Sequence, residues 1–416
     1  MVLVILILVV LSLFLTKRIK VNSLTIALLL YAFSNYLLEL NIIDITEINI
    51  YTKSYILIAY LMLLVGAVIG TNLIYRKSTP SSLDLKIEKK IFFYSIIIAI
   101  IAISLNSFYY IKSSNGILEF FIRYNELYAD RIDGDQSVMI PYLNSIIYIS
   151  ASTGGVVLGS DKKESKIVYG VIPILLITVD SIINFGRANL LIGIIIFGIA
   201  YYYTLYRKNN FQLKLKLKSL LKVLLLFSIL LLTMVQIRSF RGGFENYHID
   251  SNNIIIEKLI DWGLLTPSLI VYFAGPPSVL NQTFGSDLMK SNDVLLENTF
   301  APISRIYAPF FDQSVRRYEE FVNIGIRYSN TGTMLKDFLL DFGVIGSLFF
   351  TLLLGALYGV SYKLYIITGN LHLYSFLSAY LIMGAFVNLF RSGQFLLPFF
   401  LMIIILILPK LKWIQP

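Results

Sequence analysis

Arginine is the residue whose placement in this chain points most directly to chemistry. Of thirteen arginines, ten fall on one side of the membrane layout set out below: Arg123, Arg131, Arg187, Arg238, Arg241, Arg305, Arg316, Arg317, Arg327 and Arg391. A guanidinium is planar, permanently charged and offers a fork of donors that fits phosphate or carboxylate bidentately. Snorkelling to lipid headgroups, or pairing with neighbouring acids, is the competing use of the same side chains. Groups able to move a proton on that side are few. His248 is the only histidine there, and an imidazole with an ordinary pKa of about 6.5 takes up and releases a proton near neutrality. The nearby acids Glu245 and Asp250, and the more distant Asp341, are alternatives to it. Asp341 falls a few residues inside a span, where an ionisable group is a functional candidate by default. The second histidine, His372, falls near the opposite end of a span and is given no role. With no cysteine and two histidines, the chain has no thiolate nucleophile, disulfide, zinc–thiolate or histidine-rich metal site. Neither a metal nor a cofactor is expected.

Apolar helices must position these groups. The chain is 57% hydrophobic and 14% charged, against roughly a quarter charged in soluble domains. The apolar residues lie in continuous blocks of about 20, the length of helix that crosses a hydrocarbon core of about 30 Å. Barrel strands would alternate instead. Spans are expected at residues 1–16, 23–44, 54–75, 91–111, 140–159, 167–183, 188–206, 220–236, 338–360, 371–390 and 395–409. The first lacks the basic start and small-residue cleavage site of a secretory signal, and Lys17, Arg18 and Lys20 follow it, so it reads as a span.

Simple alternation puts the lysine-rich loops together. Lys77, Lys86, Lys89, Lys90, Lys162, Lys163, Lys166, Lys208, Lys214, Lys216 and Lys218 all fall on one side, which the positive-inside rule makes cytoplasmic. The N-terminus is then outside and the C-terminus inside. Insertion bias also accounts for the net charge of +10, and no nucleic-acid partner is needed. Two outer segments are long. Residues 112–139 contain an amphipathic stretch, 118–128, expected to lie along the interface; the Asp133-Gly134-Asp135 turn after it lacks the ligand spacing of an EF-hand. Residues 237–337, roughly one hundred, are too many for a plain connector. Within them the apolar stretch 264–280 is broken by Pro267, Gly275, Pro276 and Pro277, and reads as a helix at the interface or dipping into it. Tyr307, Phe310, Phe311, Asp312, Tyr318 and Tyr328 mix aromatic and polar groups as sugar clefts do, and as interfacial belts do. The expected organisation is an N-terminal bundle of eight spans (1–236), the large outer loop (237–337) and three C-terminal spans (338–416). The fold class is an all-α integral membrane protein of about eleven transmembrane helices, its large loop containing short interfacial helices.

Three stretches carry a family resemblance. The first is Asn184-Phe185-Gly186-Arg187-Ala188-Asn189-Leu190-Leu191, with Gly198 further on. The second runs from Arg238 to Gly243. The third and most specific is Asn330-Thr331-Gly332-Thr333, then Leu340-Asp341-Phe342-Gly343-Val344-Ile345-Gly346, then Leu354-Gly355-Ala356-Leu357-Tyr358-Gly359. Together with the layout over nearly the full chain, they resemble the O-antigen polymerases (Wzy-type), which join oligosaccharide repeat units in bacterial inner membranes. Gly332 and the odd number of spans depart from the family pattern.

The resemblance implies a glycosyltransferase acting at the periplasmic face, with no nucleotide sugar. The growing chain leaves its undecaprenyl diphosphate, and a hydroxyl of the next lipid-linked unit attacks it. Undecaprenyl-diphosphate-linked glycans and membrane lipids are the implied partners, with room for a regulator of chain length. Charge builds on the departing diphosphate, so fixed cationic donors belong there. Arg187 and Arg241, with Arg238 or Arg391, are the expected clamp, and Arg327 lies at the same depth. His248, Glu245, Asp250 and Asp341 compete for the role of base. Asp180 is expected to partner Arg187. Asn330, Thr333, Gly343 and Gly346 belong to the motif, and Gly343, Gly346, Gly355 and Gly359 are read as close-packing positions. An O-antigen ligase shares the spans and outer arginines. A lipid-linked oligosaccharide flippase fits less well, because the span midplanes are nearly free of charge and the outer loop is long.

Overall fold

The computed structural model describes residues 22–39, 45–74, 84–124, 126–127, 142–161, 164–184, 186–209, 257–258, 262, 267–284, 286, 294–313, 315, 321–325, 328–330 and 332–407. The helices are α1 (Ser23–Glu39), α2 (Ile50–Leu73), α3 (Leu85–Ser113), α4 (Ile117–Ile122), α5 (Ile147–Ser160), α6 (Ile172–Ile183), α7 (Arg187–Lys208), α8 (Pro267–Thr283), α9 (Ala301–Tyr307), α10 (Met334–Thr368), α11 (His372–Met383) and α12 (Gly393–Ile407). The strands among the described residues are β1 (Val322–Asn323) and β2 (Tyr328–Ser329), a short antiparallel pair. Among the described residues, four helices are long and apolar enough to cross a membrane: α2, α3, α10 and, from Ala188, α7. Shorter apolar helices are Ser23–Glu39, Ile167–Ile183, His372–Met383 and Gly393–Ile405. The protein is thus a helical membrane protein. The expected spans 1–16 and 220–236 lie outside the described residues.

The chain forms two compact units that interleave along its length. One draws on residues within 1–79, 244–367 and 377–396, the other on 80–243, 368–376 and 397–416. Of the segment expected as a loop, the described residues, from 257 on, belong to the first unit.

The helices of the first unit are inside-out by the standard of a soluble protein. On α10, Ser347, Thr351, Gly355, Tyr358, Gly359, Ser361 and Tyr362 are buried, whereas Ile345, Phe349, Leu353 and Leu357 are exposed. Those four follow one another at four-residue steps, one stripe of the helix. Lipid takes such a stripe, so the interior is left to small and hydroxyl side chains. The consequence is a close crossing of α2 and α10. A Cβ added to Gly66 would overlap the Leu352 carbonyl, one on Gly70 the Ala356 carbonyl, one on Gly355 that of Leu63, and one on Gly359 that of Ala67. Hydroxyls add further ties: Tyr55 donates to Ser347 Oγ (2.9 Å), and Ser23 Oγ lies 2.8 Å from Tyr358 Oη and 2.7 Å from Ser378 Oγ. The packing role expected of Gly355 and Gly359 holds. Gly355→Leu is expected to cost at least the roughly 1–3 kcal/mol of an overpacked core and to lower Tm in detergent. Gly198→Leu, where an added Cβ meets nothing within 4 Å, should leave it unchanged.

Gly343 does something else. Its φ of 65° and ψ of −174° break α10, so the helix carrying Asp341 ends there and the lipid-length run starts at Val344. A Cβ at Gly343 would meet nothing within 4 Å; the glycine is needed for its positive φ and not for packing. Asp341 accordingly lies in the short first part of α10, ahead of the break. The expected span 371–390 is also shortened. α11 stops at Met383 and the chain continues, buried, through a 3₁₀ turn at Leu389–Arg391. Its backbone groups find partners inside the protein, as they must at such depth. The Gly384 carbonyl accepts from Met334 N (2.8 Å), and Asn388 Oδ1 accepts from Phe390 N (3.1 Å).

Within the stretch 264–280, expected as a helix at the interface or dipping into it, residues 267–280 belong to α8, which packs into a core. Ile270, Val271, Ala274 and Val279 of α8 form one core with Leu37, Leu38, Ile45, Ile48 and Ile324. Pro277 supplies no N–H to the Phe273 carbonyl four residues back, and the Ser34 hydroxyl donates to that carbonyl instead. Asn281 Nδ2 donates to the Glu47 carbonyl (3.1 Å), and its Oδ1 accepts from Asn49 N (2.9 Å).

In the second unit α5 is buried along its length. Added Cβ atoms at Gly155 and Gly159 would strike Phe197, Tyr201 and Thr204 of α7. α4 realises part of the amphipathic stretch 118–128. Phe120, Tyr124 and Leu127 pack with Tyr110 and Ile183, and Tyr124 Oη donates to the Ile182 carbonyl (2.8 Å). Ile117, Leu118, Phe121 and Ile122 are exposed, which suits an interface-lying segment.

Candidate functional site

The short helix before Gly343 brings charge into the first unit. Lys336 and Asp337 are buried there, and Lys336 Nζ donates to the Asn330 carbonyl (3.2 Å). One turn on, Asp341 receives three donors from the turn before α9. Its Oδ1 accepts from Asn298 N (3.1 Å) and Asn298 Nδ2 (3.0 Å), and its Oδ2 from Thr299 N (2.5 Å). The Thr299 hydroxyl donates to the Asp337 carbonyl (3.3 Å). Arg391 completes the arrangement from the 3₁₀ turn after α11. Its Nη1 donates to Asn298 Oδ1 (3.2 Å) and to the Asn298 carbonyl (3.4 Å). Asn388 braces that turn: Nδ2 donates to the Thr299 carbonyl (3.3 Å) and Oδ1 accepts from Tyr380 Oη (2.9 Å). Phe390 stacks between Phe300 and Tyr380, with ring centroids 5.2 and 4.0 Å away.

Asn298 is thus the joint between the motif carboxylate and the cation. Both oxygens of Asp341 accept protein N–H groups, which equips it to position the 298–299 turn. The Arg391 guanidinium carries five N–H donors in a rigid fork, is partly exposed, and is held through Nη1 against Asn298. A cation set in place in advance stabilises charge that develops beside it without reorganising. Glu297, one residue before the joint, is buried. Burial, with the carboxylates of Asp341 and Glu297, pushes the Tyr307 phenol above its ordinary pKa and keeps it a donor; it donates to the Leu295 carbonyl.

Of the residues expected to act, Asp341 and Arg391 are brought together. Asn330 lies beside Lys336, and Thr333 is buried immediately before α10. A Cβ on Gly346 would press on Phe342. Arg187 is the first residue of α7, in the other unit. His248, Glu245, Asp250, Arg238, Arg241 and Arg327 lie outside the described residues. Asp180, expected beside Arg187, accepts from Asn144 Nδ2 and Asn184 Nδ2, each at 2.6 Å. Asn298, Thr299, Asn388 and Lys336 were not anticipated. For Asn388 a signal existed: an amide inside an otherwise apolar run needs a buried partner.

A second polar centre, also not anticipated, lies in the second unit. His372 Nε2 sits 2.9 and 3.0 Å from the two oxygens of Glu88, and Nδ1 lies 2.9 Å from Ser152 Oγ. Ser152 Oγ is 3.1 Å from Ser375 Oγ, and all four side chains are buried. His372, given no role from sequence, is therefore the centre of a buried polar chain that ties α11 to α3 and α5. Compared with known proteins, the chain matches no family model, no curated protein and no solved structure.

Proposed function

We propose that this chain polymerises oligosaccharide repeat units carried on undecaprenyl diphosphate, at the periplasmic face of a bacterial inner membrane. The proposal includes the full layout of about eleven spans with the N-terminus outside. The observation that carries it is the fixing of Arg391 against Asn298, the residue that also holds the aspartate of the Asp341-Phe342-Gly343 motif. In the reaction a hydroxyl oxygen of the acceptor unit bonds to the anomeric carbon of the donor. The bond from that carbon to the diphosphate breaks, and the bonding electrons leave with the phosphate oxygen. Arg391 would meet the charge gained there; Arg187, Arg238, Arg241 and Arg327 are the other arginines expected on the same face of the membrane. Asp341 would hold the turn that orients Arg391. The hydroxyl proton would pass to His248, Glu245 or Asp250.

Two other readings give different products. A ligase would transfer the finished chain to lipid A core. A flippase would move lipid-linked units across the bilayer. In a deletion strain, loss of a polymerase leaves lipopolysaccharide core capped with one unit, loss of a ligase leaves uncapped core, and loss of a flippase strands single units on the cytoplasmic leaflet. Complementation with Arg391→Lys is expected to lower polymer by about 100-fold, the scale for losing one charge-stabilising donor, with single-unit caps retained. A full-length ladder from Arg391→Lys would remove the guanidinium from the mechanism.

A further inference from the structure

We infer that the segment formed by α9 and the 3₁₀ turn after it is a membrane anchor, seated in the lipid interface beside the Asp341 site. The inference does not depend on the reaction proposed above. The segment turns its small residues inward and its large apolar ones outward. Ala301, Ser304 and Ala308 are buried, while Ile306 is 71% exposed, Phe310 83% and Phe311 69%. In water this orientation forfeits the burial that drives folding. It is the orientation expected of a segment whose outer face meets lipid.

Neighbouring elements identify the occupant. Tyr307 Oη donates to the Leu295 carbonyl, and Leu295 is itself exposed. Asn298 and Thr299, three and four residues on, are held by Asp341. The lipid-length run of α10 starts just after Gly343, and its exposed stripe opens with Ile345, 85% exposed, followed by Phe349 and Leu353. The α9 segment is therefore tied, through the 298–299 turn, to the end of the short helix just ahead of the lipid-facing stripe of α10. Polar groups stand at its margin: Arg305, Asp312 and Gln313 are exposed. Arginine with aromatic residues at such a margin suits the headgroup layer.

The chain has no cysteine, so one nitroxide can be attached at one chosen position. Phe310→Cys and Phe311→Cys, each spin-labelled in the full chain, would be reconstituted into phosphatidylethanolamine–phosphatidylglycerol liposomes. Collision with oxygen, which concentrates in lipid, would be compared with collision with a water-soluble nickel chelate. Relaxation at both positions is expected to be enhanced several-fold more by oxygen than by nickel, with the order reversed for Gln313→Cys. Nickel-dominated relaxation at Phe310→Cys and Phe311→Cys would overturn the anchor. Shielding from both reagents, with dipolar broadening between labels, would overturn it too and assign the face to a second copy of the chain. Because these side chains contact little of the protein, the substitutions leave folding intact.

Discussion

Asp341→Ala is expected to abolish the long polymer ladder while leaving the chain in the membrane. Three N–H donors lose their acceptor at once, two of them on the backbone of residues 298 and 299. Hydrogen bonds to a charged group contribute about 1.5–3 kcal/mol each, so the turn is released. Arg391 is anchored on the same asparagine and goes with it. A displacement of about 1 Å at a reacting centre costs on the order of 100-fold, and the ladder should fall at least that far. Asn298→Ala is expected to reproduce the loss, and Asp341→Ala with Asn298→Ala to lose little more, because both act through one joint. Asp341→Asn should rescue poorly, since its amide group would set a donor against Thr299 N–H. A normal ladder from Asn298→Ala beside an empty one from Asp341→Ala would instead make Asp341 the proton acceptor.

The second large effect is on stability and lies in the other unit. Glu88→Ala leaves His372 Nε2 buried without its carboxylate partner. Leaving a buried polar group without its partner costs about 1–3 kcal/mol, which corresponds to a Tm drop of roughly 2–12 °C at about 2–4 °C per kcal/mol. Thermal unfolding in detergent, followed by fluorescence, measures it directly. Replacing both partners, as Glu88→Leu with His372→Leu, is expected to recover part of the loss, because two apolar side chains leave no unpaired group. A Glu88→Ala protein that melts with the wild type would show that the pair contributes nothing to the fold.

Long apolar runs were legible because lipid selects on composition: α2, α3 and α7 follow the expected spans 54–75, 91–111 and 188–206 with ends shifted by a few residues. The breaks were not. In an apolar run a glycine reads as a packing position, and only the positive φ at Gly343 distinguishes a break from a contact such as Gly355. The end of α11 at Met383 depends on Met334 N reaching the Gly384 carbonyl from about fifty residues away, a tertiary bond that no local pattern announces. Prolines misled in the other direction. Pro276 and Pro277 suggested a broken segment, but the Ser34 hydroxyl answers a carbonyl they leave open and α8 remains whole. At the site, Asp341 and Arg391 were found through charge and motif. Asn298 was not, because an uncharged amide in a loop carries no signal until its partners are placed. Glu88 and His372 are 284 positions apart, and each alone passes for an isolated polar residue near a helix end.

The interleaving of the two units has a consequence for biosynthesis. Ribosomes deliver Asn298 before Asp341 and Arg391 well after both, 93 positions behind the asparagine that receives it. The first unit also needs residues 377–396 to close around chain that was inserted at the very start. Contacts so distant along the chain form slowly. The guanidinium is thus the last component to reach the site, and a nascent chain crosses most of its time at the insertion machinery without the cation on which the proposed chemistry depends.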